Sequence, residues 1–261
     1  MGGAHGIDGN NIVGWYHDVS IGAGRGFLYD GTTYTTIHVP GATLSTATGI
    51  EGDNIVGEYD DGSNRLGFLF DGTTYTTLSP PGASYTFANK IDGDNITGMY
   101  TDHSGYTRGY LYDGTTYTPL AVPGAETTMA QGIDGNNIVG YYRSNNIFHG
   151  FLYDGTTYTT LDVPGAIATY PYDVDGDNIV GSYTDGGALR GFLYDGTTYT
   201  TILVPGTDST SAFGIDGNNI VGSYTDGGAF LYVIPEPSTL ILLTMGAVGL
   251  LAYGWRRRKT A

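Results

Sequence analysis

The chain has 261 residues, no cysteine and a formal net charge of −16. Without thiols, neither a disulfide framework nor a thiolate metal site is available; ahead of the C-terminal apolar run, six basic residues face 26 acidic ones, a net of −20 that opposes binding to nucleic acid or anionic lipid. The 44 glycines and 23 tyrosines favour turn-rich β-structure and leave little helix potential.

From the N-terminus the chain repeats itself every 41 to 43 residues. The first landmark is Ile-Asp-Gly-Asn-Asn-Ile-Val-Gly, starting at Ile7, Ile50, Ile91, Ile133, Val174 and Ile215 with small variations. The second is Phe-Leu-Tyr-Asp-Gly-Thr-Thr-Tyr-Thr-Thr, with its aspartate at Asp30, Asp71, Asp113, Asp154 and Asp195. Val-Pro-Gly or a near relative closes most units. Each landmark reads as a hairpin, because Asp-Gly and Asn accept the positive φ of tight turns and the flanks are rich in Tyr, Thr, Val and Ile. For the second landmark, a two-residue Asp-Gly loop and a four-residue Asp-Gly-Thr-Thr loop both fit, and they pair opposite faces.

Four strands in about 42 residues is the size of a propeller blade. One unit buries too few apolar side chains to offset the ordering of its backbone, so units must stack. The glycine of each Ile-Val-Gly strand points to a close approach between stacked units. The expected architecture is an all-β, six-bladed β-propeller-like domain over 1–232, its last blade incomplete, with an open solenoid as the alternative. A strand upstream of Met1 is expected to complete the sixth blade, and an export signal is expected there too, because Met1-Gly2-Gly3-Ala4-His5 has neither a basic nor an apolar region. The unit around His149-Gly150-Phe151-Leu152-Tyr153 resembles extracellular HAF-type repeats; other units carry Arg25, Leu66, Arg108 or Arg190 at the histidine position.

The chemistry-bearing residues are mostly periodic. Of the 26 acids, 20 recur at turn and strand-end positions, and only Glu58, Glu126, Asp162, Asp173, Asp208 and Glu236 break the repeat. A carboxylate pair for glycoside hydrolysis would come from that short list. No histidine spacing suits a metal. Asp173-Val174-Asp175-Gly176-Asp177 alternates carboxylates as calcium loops do but has no glutamate at the twelfth position. No metal or cofactor is therefore expected. The b–c loops and d–a segments vary between units, and in a propeller they share one face. Tyr85, Phe87, Tyr106, Tyr170 and Tyr172 on that face form the candidate ligand surface, suited to stacking on polysaccharide.

The tail, 233–261, carries an address. Pro235-Glu236-Pro237 precedes an uncharged run, predicted as a transmembrane helix over 238–255, and Arg256-Arg257-Arg258-Lys259 stop it. The run would span roughly 28 Å as a helix, close to bilayer thickness, and the basic end belongs in the cytoplasm. Triplet, single span and basic end in this order resemble the PEP-CTERM sorting signal. The resemblance implies recognition by an exosortase-type enzyme, anchoring in the inner membrane, and release to the cell surface or exopolysaccharide matrix. The chain thus reads as an exported, non-enzymatic surface or matrix protein. The alternatives are a propeller enzyme acting on extracellular glycans and a calcium-dependent adhesion module.

Overall fold

The computed structural model describes residues 2–235. In the first hairpin, Gly2–Asp8 pairs antiparallel with Asn11–Asp18 and Asp8 lies opposite Asn11. Only Gly9 of the two-residue turn takes a positive φ, +56°, at the first central position, as a type II′ hairpin requires. In the second hairpin, Ala23–Tyr29 pairs with Tyr34–Ile37 and Tyr29 lies opposite Tyr34, so the loop has four residues. The Asp30 carboxylate closes it, accepting from the amides and hydroxyls of Thr32 and Thr33 at 2.7–2.8 Å. Those bonds hold the Asp30 carboxyl far below the usual carboxylate range.

The pattern repeats to give five four-stranded sheets and a sixth of three strands, Thr210–Asp216, Asn219–Tyr224 and Gly228–Val233. The sheets form six blades around an axis lined by the first strand of each. The ring is closed: the inner strand of blade 1 packs on those of blades 2 and 6, and the Gly9 amide reaches the Asp216 carboxylate at 2.6 Å. This excludes the open solenoid. Closure runs through the inner strands, and among the described residues no fourth strand completes blade 6. The outer edge of that blade leaves Leu231 and Val233 exposed.

Each blade is zipped internally. Phe27, Phe68, Tyr110, Phe151 and Phe192 on the third strands meet the tyrosine of the fourth strand edge-on, with ring centroids 5.5–5.6 Å apart. Gly14 makes room for this ring, since a Cβ there would strike the Gly3 carbonyl and the Phe27 ring. The close approach expected between units at this glycine therefore lies within the blade. Contact between blades falls one strand inward, as at Gly49, where a Cβ would meet the Asn89 carbonyl and Lys90 backbone.

The closing Val-Pro-Gly segments are tied to the next blade by a buried hydroxyl. Ser45, Thr128, Thr169 and Thr210 accept from the amides of Val39, Val122, Val163 and Val204 at 3.0–3.2 Å. Between blades 2 and 3 the valine is replaced by Pro80, which has no N–H to give, and the buried Thr86 hydroxyl has no partner.

The helix predicted over 238–255 and the residues Glu236, Pro237, Arg256, Arg257, Arg258 and Lys259 lie outside the described residues. Within the described residues no helix is long and apolar enough to cross a membrane.

The hydroxyl tie predicts opposite outcomes for one substitution at equivalent sites. Thr169→Val should cost about 1–3 kcal/mol by stranding the Val163 amide, whereas Thr86→Val should be neutral or stabilising. Equilibrium urea denaturation of the two variants reads the difference.

Candidate functional site in the axial channel

Superposing the six units residue by residue separates constant from variable positions. Along the first two strands nearly every position is constant, from the anchoring Ile/Val through Asp-Gly to Ile-Val-Gly. The residue two before the anchor is not: it is His5, Thr48, Asn89, Gln131, Tyr172 and Phe213 in turn. The residue after the Ile-Val-Gly glycine is Trp15, Glu58, Met99, Tyr141, Ser182 and Ser223. A β-bulge in each inner strand falls on the first of these positions, as between Ala4 and Gly6. The extra residue re-aims its side chain. All six bulge residues, with Trp15, Glu58, Met99 and Tyr141, line one axial cavity of about 420 Å³. Variation at these two strand positions thus converges on one place.

The cavity has two unlike walls. On blades 4, 5, 6 and 1 an aromatic arc runs Phe148–Tyr170–Tyr141–Tyr172–Phe213–His5, with centroid separations of 5.5, 5.2, 6.4, 4.9 and 4.7 Å. Burial pushes the Tyr172 phenol up to about 12. Burial, helped by nearby Lys90, lowers the His5 imidazole to about 4, so the ring is neutral at physiological pH. Across the axis, Glu58 is only 8% exposed. Its Oε1 receives a long 3.4 Å bond from the Thr46 hydroxyl, and its Oε2 has no hydrogen-bond partner. The Arg65 guanidinium stands 3.6 Å away and donates instead to the Tyr85 hydroxyl at 2.9 Å. Burial, only partly opposed by Arg65, raises the Glu58 carboxyl to about 7.

A buried ion pair forms the floor. At the position before the anchor four blades carry glycine, while blades 3 and 5 carry Lys90 and Asp173. The Lys90 ammonium donates to Asp173 Oδ2 at 2.7 Å and to the His5 carbonyl at 3.0 Å, and the Ile215 amide adds a bond to the same carboxylate at 3.0 Å. Burial pushes Asp173 up against the pull of Lys90. Below the bridge a second cavity of about 170 Å³ opens among Asp8, Glu51, Asp92, Asp134, Asp175 and Asp216. Each of these six carboxylates accepts from the turn glycine amide of the next blade at 2.5–2.7 Å.

The candidate aromatic surface is only partly one site. Phe87 and Tyr172 line the cavity; Tyr170 extends the arc; Tyr85 packs on Phe87 at 4.7 Å and holds Arg65. Tyr106 stands apart on the b–c loop of blade 3, 58% exposed, with Arg108 over its ring. Loop variation is the sequence signal for these residues. Variation inside the strands, at the bulge and after the glycine, was the signal for His5, Trp15, Glu58, Tyr141 and Phe213. Of the acids that break the repeat, Glu126 pairs with Arg143 at 3.4 Å and Asp162 with His149 at 2.7 Å. The calcium-like run is dispersed, Asp173 facing Lys90, Asp175 bonding Gly217 and Asp177 lying exposed. Among the described residues no cluster of three or more His, Asp or Glu is placed to hold a metal.

Comparison with known proteins bears on the tail and the fold. Residues 233–259 match the PEP-CTERM protein-sorting motif. That motif implies an exported protein, processed by an exosortase-type enzyme and carrying a C-terminal membrane-anchoring sorting signal. No curated protein matches the sequence. The described fold is similar to AofleA from Arthrobotrys oligospora, at 15% identity over 87% of this chain and 80% of that one, TM-score 0.55. It is also similar to the Aleuria aurantia lectin, solved with α-methyl-L-fucoside, at 14% identity over 90% and 95%, TM-score 0.53. A third likeness is to the β-propeller domain of the Trilobed protease from Pyrococcus furiosus, of open velcro topology, at 10% identity over 90% and 98%, TM-score 0.51. At these identities the likeness establishes a six-bladed β-propeller and nothing about activity.

Two outcomes follow for the buried charges. Lys90→Met should cost about 3–5 kcal/mol by leaving Asp173 unpaired, and Lys90→Met/Asp173→Leu should recover most of it; denaturation midpoints test this. For Glu58 the folded carboxyl titrates near 7 against an ordinary 4.5, so the native state binds the extra proton. Stability is unaffected below pH 4.5, falls as pH rises to 7, and stays reduced above. Glu58→Gln should therefore raise the melting temperature at pH 8 and leave it unchanged at pH 4.

Proposed function

We propose that the chain is an exported, non-enzymatic surface or matrix protein of HAF-type repeats whose variable propeller face holds extracellular polysaccharide. The observation that carries this reading is the convergence of the repeat-breaking residues on the axial cavity. Unlike the turns that join the blades, which hardly change, the bulge position carries a different residue in every blade. Aromatic rings with neighbouring carboxylate and amide groups suit sugar surfaces, which offer C–H faces for stacking and hydroxyl edges for hydrogen bonds. The acidic exterior favours solubility outside the cell and opposes nucleic acid. The sorting tail would hold the protein by a single inner-membrane span until the exosortase-type enzyme releases it to the surface.

A glycan-cleaving role needs two carboxylates free to act across one bond. Glu58 has only the long Thr46 bond and the Arg65 guanidinium 3.6 Å away, but Asp173 in the same channel is held by Lys90 and the Ile215 amide, which favours binding over hydrolysis.

In cells producing the full chain, Tyr85→Ala/Tyr106→Ala/Tyr170→Ala should reduce the protein retained with matrix polysaccharide several-fold, and the unsubstituted protein should release no new reducing ends from that polysaccharide. Full retention by the triple variant, or steady release of reducing ends, counts against the reading.

A further inference from the structure

The Glu58 carboxylate shows what the axial cavity lacks. Its Oε2 is buried without a donor, an arrangement that costs free energy unless a ligand completes it. Three of the polar side chains nearby already spend hydrogens elsewhere. The Asn89 amide nitrogen gives to the Ala130 carbonyl at 2.7 Å, the Thr48 hydroxyl to the Ala88 carbonyl at 2.7 Å, and the Lys90 ammonium to His5 and Asp173. None of them reaches Glu58 Oε2, so the partner this acceptor lacks must bring a hydrogen, while the Gln131 amide and the Trp15 and Tyr141 N–H and O–H groups in the same lining can serve a ligand's oxygens. Charge narrows the class further. Glu58 is offset by Arg65, Asp173 by Lys90, and His5 is neutral, so the cavity carries no net charge to select an ion. Its volume lies at the low end of the ~300–1,000 Å³ of small-molecule pockets, room for one ring and not for a chain. The Tyr141–Tyr172–Phe213 side of the arc supplies an apolar wall opposite the carboxylate.

We propose that this pocket takes a single neutral sugar residue, its hydroxyls donating to Glu58 and its C–H face covered by the aromatic arc. The proposal rests on the polysaccharide-holding reading and assigns it a specific contact.

The test uses the full chain with Trp255→Phe, which leaves Trp15 in the pocket wall as the single tryptophan. Glucose, galactose, mannose, fucose, glucosamine and glucuronate are titrated at pH 8, with Trp15 fluorescence and ligand-observed NMR as readouts. At least one neutral sugar should saturate the signal with a Kd in the millimolar range or tighter. Glu58→Leu should weaken it at least tenfold, Glu58→Gln less, and Glu126→Gln not at all. Melting curves confirm that each variant is folded, and Glu58→Gln alone decides if the leucine variant is not. Binding of only glucosamine or glucuronate, no binding of any sugar, or neutral-sugar binding indifferent to Glu58 overturns the proposal. If polysaccharide retention survives while these sugars fail, the pocket assignment falls and the surface function stands; loss of retention in the tyrosine variant with sugar binding intact does not touch the pocket.

Discussion

Six carboxylates, each accepting from the glycine amide of the neighbouring blade's turn, link the described structure into a ring. The contact from Asp216 back to Gly9 is the same bond as the other five, so no blade is terminal at this level although blade 6 has three strands among the described residues. Charge-assisted bonds of this kind are stronger than neutral ones and directional, and they set blade against blade at one angle. They also crowd six acids around one opening. At Asp175, burial and then the like charges of Asp134 and Asp216 raise the carboxyl against the pull of the Gly217 amide. The turn motif is therefore as invariant as it is because it is simultaneously a hairpin and a joint.

With the joint held constant, the channel above it is free to differ from blade to blade. The bulge in each inner strand delivers one side chain per blade to the axis, and those six side chains are all different. The Lys90–Asp173 bridge crosses the channel between blades 3 and 5 and separates the acidic ring from the pocket. Removing either partner alone would strand a buried charge, whereas both together are neutral. The bridge thus acts as a floor that lets the upper pocket be aromatic on one side and polar on the other, around Glu58.

The sorting motif begins where the propeller ends. Val233 closes the last strand and is also the first residue of the motif. The Ile234 amide still donates to the Asn218 carbonyl at 2.8 Å, and Ile234 packs on the core of the last blade. Blade 6 and the start of the sorting motif are thereby contiguous in sequence, with Val233 shared by both.

Much of this was written locally. Turn residues with a fixed preference for positive φ, and strand residues with period-two packing, act over a few positions, so the hairpins at Gly9 and Gly31, the blade count and the missing strand of blade 6 could be read along the chain. The tail was equally legible, because triplet, apolar run and basic end are contiguous. The four-residue loop after Tyr29 could not be read, since both loop lengths satisfy the local chemistry and only pairing across the sheet selects one. Nor could the pocket. His5, Glu58, Tyr141 and Phe213 lie on four blades, up to 208 positions apart, and although each departs from its repeat neighbours, nothing in the linear order says that they meet. Ring closure alone brings them to a common axis, and there the desolvation of Glu58 and the pairing of Lys90 with Asp173 arise from neighbours that the linear order keeps far away.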